Sequence, residues 1–517
     1  MSSITKILCN NFAGIKRVCS DFSSSQITAS DIQNVELFNT GVNSGVGIRS
    51  MKGNTALLTL GSDDEKIINI FQSIQNDTTY FIVHTETSLE GRLYEFSPVS
   101  TTLTLKKSGL ALTGKSCAIT FAQGWNDLFI FSTGKEFYSL QFGKYNESGE
   151  LNEITKFTPK DVDNREVNGL GLSIFDGRLW VFNGNTLWYS VKENCFDFST
   201  EDASITTSAG YIEYTKKITA IYPYLGKLAV FHNDSSSLIA INSDYSYSQT
   251  DESPGGCAGM NSLIFHGTEL YFYDDTKKGV FSFSQIVNGD KTLGSNIGLD
   301  IQEELLTIDS KKLDYIKTLS VVQSERNEIW FLIPTRDEYY STILIFDYIN
   351  KQWLKRKSQK LVDIKIIDNI FYSATEKDIL YEYEGDTFNG EFIESYYNCS
   401  PLNLLSDNTI KTFYMPPKIT YDTDYMNDFY VKYTKNYDKL KYPRIKRIIS
   451  KTLKNLFYWD KSYWDSQSKF RPKDIISTEK LPISTFKALE IAFFTSEKSQ
   501  GFAIKNIEFQ KIKVKTA

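Results

Sequence analysis

Residues 175–191 read FDGRLWVFNGNTLWYSV. A charged turn leads into a short apolar run, an Asn/Gly turn follows, and a second apolar run returns, which is the pattern of a β-hairpin. Nearly the same arrangement recurs as DTTYFIVHTETSLEGRLYEF (77–96), WNDLFIFSTGKEFYSLQF (125–142), YLGKLAVFHNDSSSLIAI (224–241) and HGTELYFYDDTKKGVFSF (266–283). ERNEIWFLIPTRDEYYSTILIFDY (325–348) and IIDNIFYSATEKDILYEYE (366–384) complete the series. With Phe81, Phe129, Trp180, Ala229, Tyr271, Trp330 and Phe371 as markers, the steps are 48, 51, 49, 42, 59 and 41 residues. A period of that length with about four strands per unit predicts a β-propeller. Six of the hairpins follow a further apolar run, for example AITFAQ (118–123), ITAIYPY (218–224) and TLSVVQS (318–324). Such short, almost continuously apolar runs suit strands buried on both faces. The expected fold is therefore all-β: a propeller of six or seven blades over 61–385.

The two ends break the period. Residues 1–60, with FNTGVNSGVGIRSMKGNT and glycines at 41, 45, 47 and 53, read as an extended arm with the first strands. After Gly385, alternating runs such as NDFYVKYTKN (427–436), KALEIAFFTSEKS (487–499) and GFAIKNIEFQKIKVK (501–515) predict a C-terminal β-sandwich over 386–517.

Composition agrees with strands. Aromatic residues make up 14% of the 517, with 35 Phe and 31 Tyr. The net charge of −6 argues against a protein that grips nucleic-acid phosphates over its whole surface, though not against a tube through which DNA slides. Six cysteines, with no metal spacing and a shortest gap of ten residues, read as free thiols of a reducing compartment. The N-terminus lacks the apolar core of a secretory signal, and no run approaches the 18 apolar residues of a membrane span.

Catalytic signatures are weak. The histidines are His84, His232 and His266, each at a different depth of its hairpin, so an axial histidine cluster has little support and a Ser-His-Asp arrangement less. SIFDGRLW (173–180) is one residue short of the Asp-box of propeller glycosidases, and a hairpin turn explains it. The acidic clusters GSDDEK (61–66) and YDTDYMND (421–428) lack the glycine and final glutamate of a calcium loop. No metal, cofactor or catalytic residue is assigned, and the chain is expected not to be an enzyme. One segment stands apart: KYPRIKRIISKTLKNLFYWDKSYWD (441–465) is basic and then Trp-rich. Its Ile445, Ile448, Ile449, Leu453 and Leu456 have helical spacing, so a basic amphipathic helix and an ordinary solvated face both fit. Arg444, Lys446, Arg447, Trp459 and Trp464 are its candidate contacts to a partner or surface.

The order of parts carries a resemblance. The arm with Gly45, Gly47 and Arg49, the run GLGLSIFDGRLWVFNGNTLWYSVKENCFDFSTEDA (169–203), the stretch TLSVVQSERNEIWFLIPTRDEYYSTILIFDYINKQWLKR (318–356) with Asp347 and Trp353, and the tail KALEIAFFTSEKSQGFAIKNIEFQKIKV (487–514) together resemble the tail nozzle proteins of short-tailed bacteriophages. That family is also called packaged-DNA stabilisation or tail hub protein. The match is one of pattern over most of 40–515, and the 441–465 segment departs from it. The resemblance implies a propeller with an added sandwich, assembled as a homo-hexameric ring below the portal and adaptor rings. Such a ring continues the channel for double-stranded DNA without sequence-specific contacts, helps retain the packaged genome and carries tail fibres or distal tail proteins. It implies a place in the virion tail, with assembly in the host cytoplasm, and no catalytic residues. An acidic chain suits a DNA channel, because each fixed cation would hold a phosphate. The alternatives are a receptor-binding or fibre-attachment propeller, in which the aromatic loop 457–464 meets the target, and a propeller enzyme acting on glycans.

Overall fold

The computed structural model describes residues 3–16, 26–40, 45–75, 77–123, 126–141, 154–201, 208–243, 246–250, 252–284, 296–323, 326–337, 339–402, 409–413, 415–422, 428–435, 444–449, 476–483, 485–486, 488–498 and 500–516. It divides into two compact units. One comprises Ala56–Thr342 with Gln359–Glu382; the other comprises Met1–Thr55, Ile343–Ser358 and Tyr383–Ala517.

The first unit is the β-propeller. The quoted hairpin lies in a four-stranded antiparallel sheet made of Gly171–Phe175, Arg178–Asn183, Thr186–Tyr189 and Gly210–Glu213. Its turn is built by Asp176 and Gly177, whose φ angles of 54° and 67° are those of a tight two-residue hairpin turn. Just before its inner strand, a Cβ on Gly169 would lie 2.2 Å from the Phe182 carbonyl oxygen, an approach of two backbones that leaves no room for a side chain.

Five more small sheets follow the same plan. Their inner strands are Lys66–Gln75, Cys117–Gln123, Ile218–Tyr224, Leu263–His266 and Asp363–Ile367. The last sheet is completed by Asn54–Thr59, so a strand from early in the chain closes it. The hairpin Lys317–Gln323/Arg326–Ile333 has its own place in the ring: its inner strand adjoins that of the Leu263–His266 sheet on one side and that of the Asp363–Ile367 sheet on the other. Lys66–Gln75 adjoins Asp363–Ile367, which closes the circle.

The core lies between sheets rather than inside any one of them. Phe121, Ile130 and Phe137 pack against Leu179, Val181 and Trp188 of the next sheet. Trp180, Leu187 and Tyr214 pack against Ile221, Leu228 and Val230 of the one after. Ile67, Phe81 and Val83 of the first sheet meet Ile367, Tyr372 and Ile379 of the last. Each sheet thus buries both faces, the condition that makes the inner strands read as unbroken apolar runs.

The second unit is a β-sandwich, and both ends of the chain build it. One layer runs through Gln26–Gln33, Tyr396–Cys399, Leu489–Phe494, Asp428–Lys435 and Arg444–Ile449. The other is organised on the 14-residue strand Ala503–Thr516, flanked by Ser3–Cys9, Thr409–Phe413, Lys418–Asp422 and Val46–Ser50. Tyr421 of this layer packs edge-on against Phe429 of the first at 5.4 Å, beside Phe493 and Phe502. The N-terminal stretch, read from sequence as an extended arm with the first strands, is strand for much of its length. Ile27, Ala29 and, past a bulge, Ile32 are wholly buried there, beside Tyr396–Cys399.

Candidate functional site

The starting ends of the propeller's inner strands surround a cavity of about 450 Å³. Four lysines from four positions around the ring line it: Lys66, Lys115, Lys217 and Lys317. Two are neutralised locally. Lys66 Nζ lies 2.8 Å from a Glu376 carboxylate oxygen, and Lys115 pairs with Asp314. The other two make no ion pair among the described residues.

Lys317, the first residue of its strand, is 7% exposed. Its ammonium donates to Asn69 Oδ1 at 2.6 Å. Burial pushes its pKa below the ordinary lysine value; the negative charge of Asp363 works against that shift and Lys365 adds to it. Asn69 in turn donates to the Ser116 carbonyl at 3.0 Å and to Ser116 Oγ at 2.9 Å. Ser116 Oγ then meets His84 Nδ1 at 2.8 Å. This polar chain crosses from one sheet to the next inside an apolar ring, where each unmade bond would be costly.

A hydroxyl against an imidazole is half of a nucleophilic arrangement, but this imidazole is a poor base. Burial lowers its pKa to about 3, and no carboxylate holds Nε2 among the described residues. The contact reads as a structural bridge between blades.

His266 likewise bridges two sheets, whereas His232 bonds within its own, and no axial cluster forms from the three. His232 Nδ1 bonds the Lys217 carbonyl at 3.1 Å. His266 bonds Ser320 Oγ at 2.8 Å and Asn327 Oδ1 at 2.5 Å. Asp176 of the Asp-box-like stretch is a turn residue that accepts from Lys192 and Tyr247, each at 3.0 Å. Within the first acidic cluster, Glu65 accepts from Thr85 at 2.6 Å and Tyr94 at 3.0 Å; Asp64 accepts from Ser88. Part of the second cluster, 423–427, lies outside the described residues. No group of three or more His, Cys, Asp or Glu side chains with metal-binding geometry occurs among the described residues.

The basic segment departs from the helical alternative over 444–449; residues 441–443 and 450–465, with Leu453 and Leu456, lie outside the described residues. Arg444–Ile449 is a strand, paired antiparallel with Asp428–Lys435 so that Phe429 opposes Ile448 and Tyr430 opposes Arg447. Over these six residues, aromatic and β-branched cross-strand partners outweigh the helical spacing of Ile445, Ile448 and Ile449. Arg447 pairs with Asp428 at 2.6 Å, Lys446 donates to the Lys480 carbonyl at 2.9 Å, and Arg444 is exposed on the same strand. Trp459 and Trp464 lie outside the described residues. These three basic residues belong to the sandwich unit, and the cavity to the propeller unit.

Sequence reading passed over the cavity lysines, although a signal exists. Lys66 and Lys317 open inner strands, Lys217 immediately precedes one, and Lys115 stands two residues before another. The repeat register places all four at one level of the ring.

No family model matches the chain, and no curated protein matches it. Solved structures similar to it include a streptogramin B lyase, with 12% identity, TM-score 0.35, and coverage of 67% of this chain and 96% of that one. A catalytically inactive virginiamycin B lyase from Staphylococcus aureus, solved with quinupristin, has 11% identity, TM-score 0.35, and coverage of 62% and 96%. Kluyveromyces lactis Hsv2 has 13% identity, TM-score 0.27, and coverage of 59% and 98%. Likeness at this level says nothing about activity.

Proposed function

We propose that this chain is a structural subunit of a short-tailed bacteriophage tail nozzle. In that role it forms a ring below the portal and adaptor, continues the DNA channel, helps retain the packaged genome and carries distal tail parts. The observation that supports the reading best is the way the chain is shared between its two units. A propeller is followed by a sandwich, as the resemblance implies, and the sandwich also takes in the first 55 residues and the excursion Ile343–Ser358. Such interleaving suits a part that must bear load, because neither unit can be pulled from the chain as an independent domain. A ring of one chain needs heterologous interfaces that close by rotation.

The test is the mass of the purified protein in solution, followed by negative-stain imaging alone and with portal–adaptor complexes. A closed six-fold ring with a hole wide enough for duplex DNA is the expected result, either free or templated on the adaptor. A protein that stays monomeric and also fails to join portal–adaptor complexes would refute the reading.

A further inference from the structure

We propose that the cavity at the propeller axis is a binding site for a small polyanion, such as a phosphate ester or a compact polycarboxylate. The inference concerns the propeller unit alone and goes beyond the nozzle reading. The charged side chains lining the cavity are Lys66, Lys115, Lys217, Lys317, Asp314 and Glu376. The two carboxylates are committed to Lys66 and Lys115, which leaves an excess of two positive charges from Lys217 and Lys317. This excess sits in a chain whose overall charge is −6, so it runs against the composition of the whole.

The volume of about 450 Å³ falls within the ordinary range for small-molecule sites, roughly 300–1,000 Å³. Backbone at the rim leaves room for a ligand: a Cβ on Gly184 would meet nothing within 4 Å, and one on Gly259 only an Asp314 oxygen at 4.0 Å. Lys317 is the decisive group. A buried ammonium whose strong partner is one amide oxygen is electrostatically unfinished, and an anion in the cavity would complete it. Exposed Lys217, which lines the same cavity, would provide the second contact. Asn69, fixed by Ser116, orients Lys317 by accepting one of its three protons, leaving two to donate.

The experiment is titration calorimetry on the full chain with pyrophosphate, with citrate and with uncharged ribose. At least one of the two anions should bind at one site per chain with a Kd below about 1 mM, and ribose should not bind. The tighter of the two anions identifies phosphate or carboxylate as the recognised group. Lys217→Ala, an exposed position, should weaken binding at least about tenfold, and Lys317→Met should abolish it. If Lys317→Met fails to fold, Lys217→Ala alone decides. Absence of binding by both anions, equal binding of ribose, or unchanged affinity in Lys217→Ala would overturn the proposal. Ring formation can be scored on the same protein, so loss of the nozzle reading and loss of this one are separate results.

Discussion

Tyr397→Phe tests whether the N-terminal strands belong to the sandwich core. Tyr397 is fully buried in Tyr396–Cys399, and its ring packs edge-on against Phe12 at 5.7 Å. Its hydroxyl lies 2.8 Å from both the Ala13 and the Ile27 carbonyl oxygens. Those carbonyls belong to two parallel neighbours, Asn11–Ile15 and Gln26–Gln33, so one oxygen from the C-terminal part ties together two strands from the start of the chain. Phenylalanine keeps the ring and its packing and removes only the hydroxyl. A single proton serves one carbonyl at a time, so the loss is about one buried hydrogen bond plus part of the penalty for an acceptor left dry, about 1.5 kcal/mol in all. For a unit of about 200 residues that corresponds to a fall in Tm of about 3–6 °C. Differential scanning calorimetry of the full chain should show the shift in one transition and leave any propeller transition in place. Deleting residues 1–16 should have a far larger effect, removing the sandwich transition or the soluble protein. A shift below about 1 °C in Tyr397→Phe, together with an unaltered sandwich after the deletion, would refute the account of the N-terminus as core strand.

Two further expectations concern titration. His84 is held neutral in the fold, with a pKa of about 3 against an ordinary value near 6.5, because burial disfavours its charged form. The unfolded chain takes up a proton below pH 6.5 and the folded one does not, so stability present above that pH is lost as pH falls toward 3. Between pH 7.5 and 5 the wild type should lose about 2 kcal/mol in urea unfolding that His84→Gln does not lose; parallel profiles would remove His84 as the cause. Burial likewise pushes the thiols of Cys9, Cys195 and Cys257 up to about 12. Their thiolate fraction at pH 8 is on the order of 10⁻⁴, so a disulfide reagent should leave them unmodified until denaturant is added, and rapid labelling of any of the three in native protein would contradict their burial.

The propeller was legible because its determinants are local. Each hairpin carries its own turn, as Asp176-Gly177 does, and each inner strand announces double burial by an unbroken apolar run such as Ile218–Tyr224. Repetition then multiplies a weak signal. The sandwich strands at 427–436 and 487–499 were legible for the same reason, through simple alternation. What escaped were the partnerships. Nothing in QITASDIQ reveals that Gln33 will lie opposite Tyr396, more than 360 positions away, because a period of two reports which face is apolar and is silent on who covers it.

The strand Arg444–Ile449 shows the same blindness from the other side. Ile445, Ile448 and Ile449 satisfy a helical spacing and a strand equally well over so short a run, and the choice falls to the neighbour. Phe429, Tyr430 and Val431 offer a pleated, half-buried surface on which Ile448 is covered while Ile445 remains 58% exposed. A helix there would leave those aromatic partners an open sheet edge, which tertiary pairing removes. The cavity lysines illustrate the opposite failure, in which the information was local and the reading was not aligned to it. Each lysine taken singly is an ordinary solvated charge at the start of a strand. Once the strands are superposed by their place in the repeat, Lys66, Lys115, Lys217 and Lys317 fall at one end of the ring, where charges spread over about 250 residues of sequence share a cavity. Function in a closed ring of blades is written in register, and residues at equivalent positions of successive repeats are the ones to compare for a site on the axis.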